Sequence, residues 1–137
     1  MNIVILHNKP NDITPSIELY KEAYYELEEL QVRDYNEYIT HCLTYVNSLE
    51  RTEILYLDNG SVVAGLIVGE DYDLHVGRCL TVTFNYTHPL YRGFNLGSKL
   101  FREAMRLARQ EGYPILAWTH RKGGFTYETK YRKVNHG

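Results

Sequence analysis

The stretch Thr87-His88-Pro89-Leu90-Tyr91-Arg92-Gly93-Phe94-Asn95-Leu96-Gly97-Ser98-Lys99-Leu100 has the residue types and spacing of an anion site. An apolar β-like run, Arg78 to Tyr86, feeds this Pro- and Gly-punctuated loop, and the loop opens into an amphipathic helix. Such a strand–loop–helix aims unpaired backbone N–H groups and a helix dipole at one point. Leu100, Phe101, Ala104, Met105, Leu107 and Ala108 recur at helical spacing, and Gly112 with Pro114 ends the helix. Lys99, Arg102, Arg106 and Arg109 lie on its other face, so positive charge stands beside the anion site. On these residues alone the plain alternative is an ordinary Gly-rich turn before a surface helix.

The elements that must position this loop can be read along the chain. Residues 1–7 form a first strand, and Lys9-Pro10-Asn11-Asp12 a turn. Thr14 is the expected N-cap of a helix with Pro15 at its first position, running to about Leu30. Ile17, Tyr20, Tyr24, Leu27 and Leu30 make its buried stripe, while Glu18, Glu22, Glu26 and Glu29 read as a solvated face. A second helix starts at Asp34, where Asp34 and Glu37 have capping-box spacing. Asn59-Gly60 then joins strands Ile54 to Asp58 and Ser61 to Gly69 in a hairpin. Glu70 to Gly77 reads as a polar connection, Ile115 to Trp118 as a short strand, and Phe125 to Val134 as a final alternating strand after Gly123-Gly124.

At 137 residues the chain is expected to be one domain, 1–137, with a core that needs neither disulfide nor metal. Cys42 and Cys79 lack metal-type spacing and read as buried thiols, for which a reducing, cytoplasmic setting is the default. The six His show no paired i, i+4 spacing, so no metal is expected. No apolar run is long enough to span a membrane, and the first residues lack the basic start of a signal peptide. The net charge of −2 hides a split. Residues 1–77 hold four Lys+Arg against 14 Asp+Glu, a net of −10, and residues 78–137 hold 11 against three, a net of +8. The basic half suits a polyphosphate ligand and the acidic half a basic amine or peptide; head-to-tail self-association fits equally. Nucleic acid is disfavoured, because the acidic half repels a long phosphate chain.

Tyr91 to Leu100 resembles the acetyl-CoA pyrophosphate loop of the GCN5-related N-acetyltransferases (GNAT), whose pattern is Gln/Arg-x-x-Gly-x-Gly/Ala, usually led by Val-x-Pro-x-Tyr. Arg92 and Gly97 match at the right spacing, and Pro89 and Tyr91 match upstream. Asn95 replaces the central Gly; among non-Gly residues Asn best tolerates a left-handed backbone. The element order β–α–α–β–β–β–loop–α–β–β agrees with this family over residues 1–118. The resemblance therefore implies an α/β (α+β) GNAT-like fold, a central mixed, mostly antiparallel sheet flanked by helices. The family's fourth helix is shortened here to at most a turn, since Thr119-His120-Arg121-Lys122-Gly123-Gly124 stands in its place.

That resemblance implies an acyl transfer from acetyl-CoA to an amine or basic protein side chain by direct attack. Pyrophosphate contacts fall to the backbone of Arg92, Gly93, Phe94, Asn95, Leu96, Gly97 and Ser98. Asn85 takes the thioester carbonyl and Thr87 the pantetheine arm. A strand Glu used as base by some members is Thr81 here, and no carboxylate lies between Arg78 and Tyr86. Asp71, Asp73 and His75 are the acidic and basic groups nearest in sequence, with Asp73 the candidate base; a solvated loop is the simpler reading of all three. Tyr127, near the spacing of the family's helical Tyr, and His120 are the candidate acids. With 13 Tyr, packing is the ordinary role for any one of them, as surface exposure is for His120 and His88. The rival reading is a catalytically inactive member of the fold. The tail Trp118-Thr119-His120-Arg121-x-Gly-Gly-x-x-Tyr127-x-x-x-Tyr131-Arg132 is similar to small phage-encoded proteins of this fold, some of them virion components, and a virion location goes with that reading.

Overall fold

Residues that alternate between two apolar clusters build the sheet. Leu66 and Val68 join the cluster under the third α-helix, and Ile67 between them joins the cluster under the first two. The computed structural model describes residues 1–135. Six strands lie in sequence order: β1 (Asn2–Asn8), β2 (Arg51–Asp58), β3 (Ser61–Asp73), β4 (Gly77–Thr87), β5 (Ile115–Gly123) and β6 (Thr126–Lys133). All neighbours are antiparallel except β4 and β5, which are parallel. Helices α1 (Ile17–Glu26) and α2 (Tyr35–Asn47) cover one face through Tyr20, Tyr38 and Val46. Helix α3 (Leu96–Gln110) covers the other through Leu96, Leu100, Ala104 and Ala108. Among the described residues no helix is long and apolar enough to cross a membrane.

Asp34 caps α2 as its spacing predicts, its carboxylate accepting the Glu37 N–H at 2.9 Å. Thr14 does not cap α1. That helix starts at Ile17, and Thr14 is buried and donates its hydroxyl to Glu53 Oε1 at 2.6 Å. Glu53 is wholly buried and draws further donors from Ser16, Asn8 and Arg51. A buried carboxylate short of donors costs more than an uncapped helix end, so it takes the hydroxyl. Nor does α1 reach Leu30: it stops at Glu26, Leu27 turns extended, and a 3-10 turn spans Glu28–Val32.

Two strands, β3 and β5, run longer than their apolar runs. The expected connection Glu70 to Gly77 is mostly ladder, since Glu70, Asp71 and Tyr72 pair with Leu80, Cys79 and Arg78. Asp73 closes that hairpin by accepting the N–H groups of His75 and Val76. β5 continues past Trp118 through the polar run to Gly123, because β6 supplies partners, His120 opposite Glu128, Arg121 opposite Tyr127 and Gly123 opposite Thr126, with Lys122 bulged between them. Where a turn of helix was expected, Gly124 and Phe125 make a tight turn, with Phe125 at φ 62°.

Candidate active site

A bulge opens the site. Ile67 pairs with Phe84 and Val68 with Val82, leaving Thr83 as an extra residue on β4. Bulges bend the strand that carries them. Consistent with that bend, β4 and β5 pair only at Leu80–Leu116 and Thr81–Ala117 and then diverge. The edge of β4 beyond Thr81 therefore has no strand partner. A cavity of about 640 Å³ runs from the loop before α3 into this gap, lined by Asn85, Thr87, Gly97, Trp118 and His120 among others. A second, of about 330 Å³, lies beneath α1. The two share Leu27, Asn85, Tyr86, Thr119 and Arg121, so they meet through the gap.

The loop is held from three sides. The Tyr91 hydroxyl donates to Asp58 at 2.6 Å, and Arg92 Nε donates to the Thr87 carbonyl at 3.2 Å. The Arg92 guanidinium also forks onto the two Glu26 oxygens, and Tyr86 donates to the same carboxylate at 2.6 Å. Arg92 holds the Glu26 carboxyl below the usual carboxylate range, so Glu26 is a poor base. Gly93 has φ 103°, and Asn95, at φ 60° and ψ 29°, occupies the left-handed region immediately before α3. The first intrahelical bond runs from the Lys99 N–H to the Asn95 carbonyl, which leaves the N–H groups of Leu96, Gly97 and Ser98 without helical acceptors. A Cβ built on Gly93 or Gly97 would meet nothing within 4 Å. Packing within the chain does not demand glycine at 97; open space in front of the amides does suit a ligand phosphate.

Most residues expected at the site are together. Asn85, Thr87, Arg92, Gly93, Asn95, Leu96, Gly97, Ser98 and His120 all line the larger cavity. Phe94 points elsewhere: it is exposed beside Tyr91, with ring centroids 6.1 Å apart. Tyr127 lines the smaller cavity, where its hydroxyl donates to Glu29. Burial and that carboxylate push its pKa up to about 12. Asp73 is not brought to the gap. It sits at the β3–β4 turn, bound by Tyr131 at 2.9 Å, eight residues down β4 from Asn85, or roughly 25 Å at strand rise. His75 lies at that same end, 3.3 Å from Asp73.

Sequence reading missed one feature of the site. Glu26 and Glu29 do not sit on a solvated face; each reaches across to an arginine that lines the cleft, while Glu22, half exposed, leans toward His88. Glu22 pairs with His88 at 3.3 Å, Glu26 with Arg92, and Glu29 with Arg121 at 2.6 Å. Arg121 holds the Glu29 carboxyl down to about 2. Their i, i+4, i+7 spacing was visible, but their partners lie 66 and more residues away. Among the described residues no group of three or more His, Cys, Asp or Glu is arranged to hold a metal ion.

The chain matches the pattern of a family described as Acetyltransferase (GNAT) family over residues 13–124. No curated protein matches it by sequence. Solved structures resemble it in fold. One is a predicted acetyltransferase with acetyl-CoA from Clostridium acetobutylicum, with TM-score 0.66, 15% identity and coverage of 88% of this chain and 82% of that one. Another is the PaiA N-acetyltransferase of Thermoplasma acidophilum in complex with coenzyme A, with TM-score 0.58, 16% identity and coverage of 90% and 82%. A third is a ribosomal-protein-alanine N-acetyltransferase from Brucella melitensis biovar Abortus 2308, with TM-score 0.56, 18% identity and coverage of 89% and 82%. Identities this low speak for the fold alone.

Proposed function

The chain belongs to the GNAT acetyltransferase family, and from that premise we propose that it transfers the acetyl group of acetyl-CoA to an amine by direct attack. The observation that carries this reading is the helix opening at Asn95. A left-handed residue there turns the free amides of Leu96, Gly97 and Ser98 toward open space at the mouth of the splayed strands. Those amides and the α3 dipole would hold the pyrophosphate. Arg92, committed to Glu26 and Thr87, fixes the shape of the loop instead of binding phosphate with its side chain. The unpartnered edge of β4 at Asn85 to Thr87 would hold the pantetheine arm and the thioester carbonyl. The relatives named with acetyl-CoA and with coenzyme A support the same ligand.

Acetyl-CoA supplies an activated thioester. The amine nitrogen forms the new C–N bond, the C–S bond breaks, and sulfur leaves with the electron pair. One proton must leave the nitrogen and one must reach the sulfur. Of the groups lining the two cavities, His120 is the one suited to move a proton near neutral pH. Glu26 is neutralised by Arg92, and Tyr127 is tied to Glu29. We assign His120 the proton transfer and leave Tyr127 a wall of the acceptor cavity. The His120→Gln variant should lose about 10²-fold in kcat with unchanged affinity for acetyl-CoA, the size typical of general acid–base catalysis. Thiol release measured at saturating amine checks this; a kcat within twofold of the parent would remove His120 from the mechanism. The non-catalytic reading drew on Asn95, the absent strand carboxylate and the shortened C-terminus; of these, Asn95 lies at φ 60°, a backbone that Asn adopts more readily than other non-glycine residues.

A further inference from the structure

The smaller cavity constrains the acceptor. Its wall is largely hydrocarbon and aromatic ring, Leu27, Leu30, Tyr38 and Phe84 among it, with uncharged polar groups from Thr83, Asn85 and Thr119. Its arginine, Arg121, offers no net charge to a ligand, because Nε and one terminal nitrogen grip Glu29 at 2.6 and 2.9 Å. Glu29 in turn is saturated by Arg121 and the Tyr127 hydroxyl, and its side chain is 8% exposed. The β5–β6 turn leans onto the 3-10 turn after α1, so that a Cβ on Gly124 would fall 1.7 Å from Glu28 Oε1. The Glu29–Arg121–Tyr127 bridge spans from that 3-10 turn to both strands of the hairpin.

Resting on the acetyltransferase reading, we infer that the acceptor is a small primary amine carried on an aromatic or branched apolar body, not a polyamine or a peptide lysine. A polyamine brings further ammonium groups, and among the described residues no free carboxylate lines the cavity to receive them. A peptide lysine brings a polar backbone, for which this largely apolar wall offers few partners. A compact apolar body fits the roughly 330 Å³ available and sets its ring edge-to-face against Phe84 and Tyr86. Its ammonium finds aromatic faces on entering and gives up a proton before attack.

The probe is phenethylamine, with spermidine and a lysine-rich peptide as competitors. Calorimetric titration of phenethylamine into the complex of the full chain with desulfo-CoA tests binding without turnover. Thiol release with acetyl-CoA, with the product confirmed by mass, tests transfer. Phenethylamine should saturate the complex at millimolar concentration and exceed both competitors in kcat/KM by about tenfold or more, the discrimination one pocket supplies. Thr83→Arg, at the exposed bulge on the cavity wall, should weaken phenethylamine binding about tenfold while desulfo-CoA still binds, because it sets a like charge beside the amine. Equal or better turnover of spermidine or the peptide overturns the inference. So does a complex that binds desulfo-CoA and ignores phenethylamine. A chain that fails to bind desulfo-CoA overturns the acetyltransferase reading itself, and this inference with it.

Discussion

Asn95 carries the loop because of what its side chain permits in a backbone most residues avoid. At φ 60° the cost to a β-branched residue is about 1–2 kcal/mol. Asn95→Val should therefore lower the melting temperature and raise KM for acetyl-CoA severalfold, while Asn95→Gly should leave both near the parent values; calorimetry and steady-state kinetics check this. The departure at 95 was legible because the residue type states its own tolerance. Glu29 was not, because a helical glutamate reads as a solvated one until its partner 92 residues away is known. Its carboxyl, held at about 2 by Arg121, stays ionised in the folded chain where an unfolded Glu, near 4.3, has taken its proton. The stabilisation is complete above that unfolded value and is lost as pH falls toward 2. Thermal melts across pH 5 to 2 should fall more steeply for the parent than for Glu29→Gln; parallel curves would contradict the pairing.

Strands and helices were legible wherever apolar spacing set them, and their ends were not. α3 could be read from Leu100, Ala104, Leu107 and Ala108, all of which are buried. The ends of β3 and β5 could not, because Glu70 to Asp73 and Thr119 to Arg121 are polar and become strand only through their ladder partners. The bulge at Thr83 left no signal in residue type, yet it marks where β4 leaves β5. The tie from α1 to the loop at Glu26–Arg92 is equally invisible in sequence. Because α1 lines the acceptor cavity through Ala23, Glu26→Gln should loosen the loop, raising KM for acetyl-CoA severalfold with kcat within about twofold, a pattern that marks lost uniform binding. A fall in kcat with KM unchanged would contradict a positioning role. Truncating Leu100, which is 2% exposed beneath α3, should cost about 2–5 kcal/mol in denaturant unfolding, as large-to-small core changes do.

Across the whole molecule, the charge split visible in composition becomes a spatial one. Glu18, Glu22, Glu26, Glu28 and Glu29 belong to α1 and its 3-10 turn on one face, while Lys99, Arg102, Arg106 and Arg109 follow α3 on the other. Part of the asymmetry is satisfied within the chain, since the two halves meet at the cleft in the pairs Glu26–Arg92 and Glu29–Arg121. Arg102 and Arg109 share a cavity wall with Gly97 and Ser98 of the proposed phosphate site, so acetyl-CoA binding should weaken as salt screens them. Arg102→Glu should weaken it further at low salt and flatten its salt dependence. The central claim is that the Asn95 loop holds the pyrophosphate, and calorimetric titration of the full chain with acetyl-CoA, with desulfo-CoA as the control, tests it most directly. The account predicts saturable binding of both tighter than about 100 μM, roughly 5.5 kcal/mol, and its loss in Gly97→Glu with the melting temperature retained. No heat and no thermal shift at millimolar ligand, or undiminished affinity in Gly97→Glu, would contradict it.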